Sequence, residues 1–180
     1  MSTTRRALRL TGAAALLAVA ATLLVCWSRL VPTETSWTAA ALRPLFGAGT
    51  GAAEDVVWTG IGTDAMLGMR LTTLCSTIVL LVPLGALGAA LLLWLRRSPG
   101  WRIGVGVGFA LAVAAAANQL RLALLVVLWR WHGQQGFDLG HRYLGSLEVI
   151  ILFGLSMYLM VRIATGGRRT VQTRSQEATA

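Results

Sequence analysis

Charge is scarce in this chain. Only 13% of its 180 residues are Asp, Glu, Lys or Arg, against about 25% in soluble domains. With 56% hydrophobic residues and a mean hydropathy of +0.67, that shortage excludes an ordinary soluble domain. Lysine is missing altogether, so all 16 basic residues are arginine. The net charge of +9 does not point to nucleic acid, because the arginines form no basic stripe. They cluster at the ends of apolar runs, where membrane orientation accounts for them. No nucleic-acid partner is expected. The two cysteines, Cys26 and Cys75, lie in separate apolar stretches without a C-x-x-C pair. That spacing excludes a disulfide framework or a zinc site, and no metal or cofactor is expected. Cys26 reads as a small buried hydrophobe, which leaves Cys75 as the thiol available for chemistry.

Long apolar runs are what the chain has. Crossing a bilayer takes about 20 mostly apolar residues, and four segments qualify: roughly Leu8 to Trp27, Leu71 to Leu95, Ile103 to Leu128 and Tyr143 to Ile163. The first has the basic flank of a signal peptide, but its apolar run is longer than usual and no clear cleavage site follows. It reads as a retained helix. Arg5, Arg6 and Arg9 precede it, Arg96, Arg97 and Arg102 join the second span to the third, and Arg162, Arg168, Arg169 and Arg174 close the fourth. The intervening segment from Pro32 to Met69 carries Glu34, Glu54, Asp55 and Asp64 against Arg43. Positive charge stays inside, so both termini are expected in the cytoplasm. Trp94 and Trp101 would mark the inner interface, and Trp129 and Trp131 the outer one. The expected fold is an all-α integral membrane protein of the plasma membrane, with four transmembrane helices. Residues 1–165 would form one domain, and 166–180 a disordered cytoplasmic tail.

That topology brings three reactive side chains to one side. Cys75 falls inside the outer end of the second span, Arg121 about two turns inside the outer end of the third, and His141 at the outer entry of the fourth. At about 1.5 Å per residue, Cys75 and Arg121 would lie roughly 6 to 12 Å from the outer interface. An ionisable residue at such a depth is a functional residue by default. Asn118 precedes Arg121 by three positions and shares its helix face. His141, Gly145 and Glu148 share another face, with Gly145 opening a notch and Glu148 placed to pair with Arg121. A thiol attacks as thiolate, which a nearby cation favours. His141 would take the proton and return it to a leaving amine, while Arg121 would stabilise the thiolate or the oxyanion. Together they make an acyl-transfer set facing outward.

The segments Thr73-Leu74-Cys75-Ser76, Ala117-Asn118-Gln119-Leu120-Arg121 and Gly140-His141, followed by Gly145, resemble the Cys, N-x-x-R and His signatures of the exosortase/archaeosortase family. The resemblance covers roughly Leu71 to Phe153. It implies a multi-pass membrane cysteine peptidase or transpeptidase that needs no cofactor. The substrates would be exported proteins bearing a C-terminal sorting signal: a short motif, an apolar helix and a basic tail. It also implies that Cys75 is the nucleophile, completed by Arg121 and His141. The chain departs from the family in two ways. Ser76-Thr77 stands where many members have Ser-Gly, and four spans replace about eight, as in compact members.

Other classes compete. A small transporter or channel could use Glu148 as its coupling carboxylate, with Arg121 as partner. A thiol redox protein would need a cysteine pair, and a non-catalytic assembly subunit would not need the Cys-Arg-His set. Gly104-Val105-Gly106-Val107-Gly108 opens a span with no strand before it, so it is no nucleotide loop. Gly104 and Gly108 read instead as a small-residue contact between helices. In the outer segment, 45–51 reads as loop and 56–62 as a short strand or re-entrant piece standing over the site.

Overall fold

The computed structural model describes residues 3–166, with the backbone alone at residues 144, 145, 148 and 149. The tail expected beyond Gly166 lies outside the described residues. Five helices carry the chain. Helix α1 spans Thr3–Val25 and α2 spans Trp27–Phe46. Three short strands follow: β1 (Gly51–Ala53), β2 (Val56–Thr59) and β3 (Leu67–Arg70). A 3-10 turn at Thr73–Cys75 leads into α3 (Ile78–Trp94), then α4 (Gly100–Leu139), a π-helical turn (Gly140–Leu144) and α5 (Gly145–Thr165). The molecule is mostly helical, but the all-helical expectation omitted a sheet. The strands form an antiparallel meander in the order β1-β2-β3, and β2 falls where a strand was anticipated.

Two helices are long and apolar enough to cross a membrane: Thr3–Val25, and the run from Gly100 to Tyr143 that takes in α4. Ile78–Trp94 and Ile150–Thr165 are apolar but shorter. Helix α1 packs on α3, α3 on α4, and α4 on α5. Their shared core contains Ala13, Leu84, Ala89, Ile103, Val107, Ala110, Met160 and Ala164. Close approach there depends on missing side chains. A Cβ added at Gly106 would stand 2.9 Å from the Met160 carbonyl oxygen, whereas one at Gly104 or Gly108 would meet nothing within 4 Å. The glycine contact is therefore real but falls two positions from the glycines expected to make it. Two residues along an α-helix turn the side chain by about 200°, so Gly104 and Gly108 look away from α5.

One end of this bundle gathers arginine. Arg6, Arg9 and Arg96 line a common cleft, and Arg97 sits beside Ser98 and Thr165. The Arg9 guanidinium donates to the carbonyls of Leu92 (3.1 Å), Leu95 (2.8 Å) and Ser98. Carbonyls in the last turn of a helix lack intrahelical donors, and a cation there also meets the negative end of the helix dipole.

The other end is built differently. Helix α2 buries Val31, Glu34, Thr35, Thr38, Ala39 and Leu42, the 3- and 4-residue spacing of an amphipathic helix. It lies against β1, β2 and α4, and its buried face joins Val57, Met69, Leu71, Cys75, Leu122, Leu125 and Val126 in a second core. Thr35 Oγ1 donates to the Glu54 carbonyl at 2.8 Å and Arg43 Nε to that of Thr50 at 3.2 Å. Arg130 donates to the Ala65 carbonyl. These bonds fasten the sheet to the helices.

Helix α4 does not stop near Leu128 as the spans suggested. It continues to a break at Gly133 (φ 62°, ψ −154°), a left-handed φ that glycine adopts without penalty. The chain then doubles back. Cβ atoms built on Gly136 and Gly140 would collide with Leu128, and with Leu125 and Leu128, respectively. This reversal returns Gly140, the neighbour of His141, to the level of Leu125 and Leu128. It also packs Trp129 on Phe137 (4.8 Å between ring centres), so Trp131 is exposed while Trp129 is half-buried.

Candidate active site

Cys75 was expected inside the second span. It instead closes the 3-10 turn ahead of α3 and is 8% exposed. The turn is held from two sides. From α4, Asn118 Nδ2 donates to the Cys75 carbonyl (2.9 Å) and to Thr77 Oγ1 (3.1 Å). From α2, Glu34 Oε1 accepts the Thr77 backbone N–H at 3.0 Å. Within the turn, Thr72 Oγ1 donates to Cys75 Sγ at 3.5 Å.

From Cys75 to Leu80 the backbone has no donor left. The N–H groups of Cys75, Ser76, Thr77, Ile78, Val79 and Leu80 all have partners, five of them within this turn and the start of α3 and the sixth in Glu34. An oxyanion formed at Cys75 would need a donor from outside that run. Arg121 is the candidate, buried on the same face of α4 as Asn118. It lies one helical turn beyond Asn118, is 8% exposed, and its Nε has no hydrogen-bond partner among the described residues. Arg121 and Asn118 line a narrow cavity with Leu80, Ala114, Ala117, Leu152 and Phe153. A buried guanidinium nitrogen without an acceptor costs free energy, and an incoming oxygen would recover it.

His141 stands at the edge. Its ring stacks on Phe137, with centres 5.5 Å apart and planes 6° from parallel. Phe137 in turn packs on the core that contains Cys75. The imidazole Nδ1 is buried without a partner among the described residues. No hydrogen bond joins His141 to Cys75 or Arg121. The fold thus unites Cys75, Asn118 and the turn bearing Arg121, and leaves His141 near them without contact through a polar atom. The surroundings of Gly145 and the side chain of Glu148 lie outside what the structure describes, and with them the anticipated notch and the Glu148–Arg121 pair.

Gln119, the neighbour of Asn118, accepts from Thr38 Oγ1 at 2.9 Å. It joins α4 to α2.

Glu34 went unrecognised in the sequence. It is 7% exposed on the covered face of α2, outside the four apolar spans. Burial pushes its carboxyl above the ordinary range, partly offset by the hydrogen bond from Thr77. The signal was present in the spacing of Val31, Thr35, Thr38 and Leu42, which puts Glu34 on the same face. Among the described residues no group of three His, Cys, Asp or Glu could hold a metal ion. No family model, no curated protein and no solved structure matches the chain.

Proposed function

We propose that this protein is an exosortase-like membrane cysteine peptidase or transpeptidase. It would cleave the C-terminal sorting signals of exported proteins through a thioester at Cys75. The observation that carries this reading is the pair of bonds from Asn118 to Cys75 and Thr77. They join the N-x-x-R turn to the cysteine turn, two motifs that the sequence separates by 43 residues. In this reading α1, α3, α4 and α5 all cross the plasma membrane, with the arginine-rich end and both termini in the cytoplasm. The second core, with Cys75 on it, then faces outside. Lipid and the sorting-signal protein are its partners, and no cofactor takes part.

The thiol gives its proton to His141, and the Cys75 sulfur attacks the carbonyl carbon of the scissile amide. A C–S bond forms and the carbonyl oxygen takes the charge, facing the Arg121 guanidinium. Collapse restores the carbonyl and breaks the C–N bond, and the leaving amine takes the proton from His141. The thioester is then open to an acceptor: water, a lipid amine or a sugar hydroxyl. His141 is not bonded to the thiol at rest, so its turn must carry the ring across when substrate binds. A π-helical turn is a common place for such adjustment.

The test follows the mass of a candidate substrate, a protein with a C-terminal motif, apolar helix and Arg-rich tail from the same genome. It is expressed with the wild type and with Cys75→Ala, Arg121→Ala and His141→Ala. Loss of the C-terminal helix with the wild type alone, and a thioester trapped at Cys75, is the expected result. Processing that persists with Cys75→Ala, in cells without a related enzyme, removes the nucleophile. A transporter or an assembly subunit then becomes the better reading.

A further inference from the structure

Of the six backbone donors that run from Cys75 into the first turn of α3, five are bound within that turn and the start of α3. The sixth, Thr77 N–H, is bound by a carboxyl from another element, Glu34 on α2. Thr77 is held from the opposite side by Asn118. The cysteine turn is therefore gripped between a carboxyl and a carboxamide, one from each helix packed against it. Only the carboxamide belongs to a motif of the proposed reaction. A carboxyl at 7% exposure, with its second oxygen unbonded among the described residues, is costly to keep. Nothing in the packing of Val31, Ala39 and Leu42 requires one.

We propose that Glu34 is a positioning residue for Cys75: by accepting the Thr77 N–H it fixes the turn that aims the thiol, and it couples α2 to the nucleophile. Its role depends on the acceptor oxygen rather than on charge, so an amide can replace it. The proposal rests on Cys75 being the nucleophile for its meaning in catalysis, but the clamp itself can be measured without substrate.

The experiment uses the full chain in detergent, in a Cys26→Ser background, and follows alkylation of Cys75 by N-ethylmaleimide. Glu34→Ala should speed alkylation about fivefold, the change that one lost hydrogen bond makes to a local opening equilibrium. Glu34→Gln should stay close to the wild-type rate. A second variant guards against misfolding of the first. Thr77 has φ −55° and Ser76 is extended at φ −71°, ψ 143°, so proline fits at 77 and deletes the N–H. Thr77→Pro should speed alkylation beyond the hydroxyl control Thr77→Ala, and adding Glu34→Ala to it should change little more. The processing assay on the same variants should show Glu34→Ala lowering kcat with KM nearly unchanged, and Glu34→Gln restoring it.

Wild-type alkylation in Glu34→Ala overturns the clamp, as does Glu34→Gln behaving like Glu34→Ala, or full additivity with Thr77→Pro. If alkylation follows the expected pattern while Cys75→Ala still processes substrate, the clamp stands and the nucleophile assignment falls.

Discussion

The two cores of this molecule obey different rules. At the arginine-rich end, α1, α3, α4 and α5 meet through Ala13, Ala89, Ala110, Ala114 and Ala164 with Leu, Ile and Met between them. Contact there is made by shape, as small residues let backbones approach. At the other end, Glu34, Thr35, Thr38, Ser76, Thr77, Asn118 and Arg121 are all buried around the second core. Contact there is made by hydrogen bonds that cross between α2, the cysteine turn and α4. Shape packing tolerates small apolar exchanges, whereas a buried polar network fails when one partner is lost. The first core is suited to holding a fold, and the second to holding a geometry.

Substitutions should separate the two, and the largest effect belongs at the polar end. Arg121→Ala should reduce processing by about 10²- to 10³-fold, as removal of one oxyanion donor does, with little change in thermal unfolding because its Nε has no partner to lose. Equal losses in activity and thermal stability would merge the two regions into one. Next comes Gly106→Val in the apolar core. The added side chain meets the Met160 carbonyl oxygen and should cost roughly 1–3 kcal/mol, read as a lower Tm in detergent, while Gly104→Ala leaves Tm unchanged. Arg9→Ala should cost about 1–2 kcal/mol, since it strips the carbonyls of Leu92, Leu95 and Ser98, at and just beyond the end of α3, of a charged donor. It should leave the alkylation rate of Cys75 untouched.

The smallest effect concerns pH. The carboxyl of Glu34 is held above its ordinary range by burial, so the folded chain keeps a proton there that the unfolded chain releases. Stability from that proton is complete below the unfolded pKa and falls as pH rises through the folded one. The wild type should therefore lose Tm against Glu34→Gln as pH climbs from the ordinary carboxylate range. A constant difference would mean that the carboxyl is solvated after all.

How far the sequence could be read follows the same division. The apolar runs, their arginine ends and the shared face of Asn118 and Arg121 are local patterns, and the helices carry them in the expected order. The glycine contact was misjudged by two positions because the helix phase at its first turn is set by the partner, Met160 on α5. The reversal at Gly133 was invisible, since the stretch from Arg130 to Arg142, with Gln134, Gln135 and Asp138, reads as a short polar loop and not as helix. Glu34 escaped for a stronger reason. Its spacing placed it on the inner face of α2, but nothing local says that a helix outside the spans will be covered.

Apolar length, charge asymmetry and the three motif segments were determined by the sequence alone, because hydrophobic burial is periodic and each residue shows its part of it. Which donor meets which acceptor was decided only by the tertiary structure. Asn118 and Cys75 are 43 positions apart, and so are Glu34 and Thr77. A hydrogen bond needs its partners within about 3 Å, a condition that no spacing along the chain expresses and that only the packing of α2, α3 and α4 fulfils.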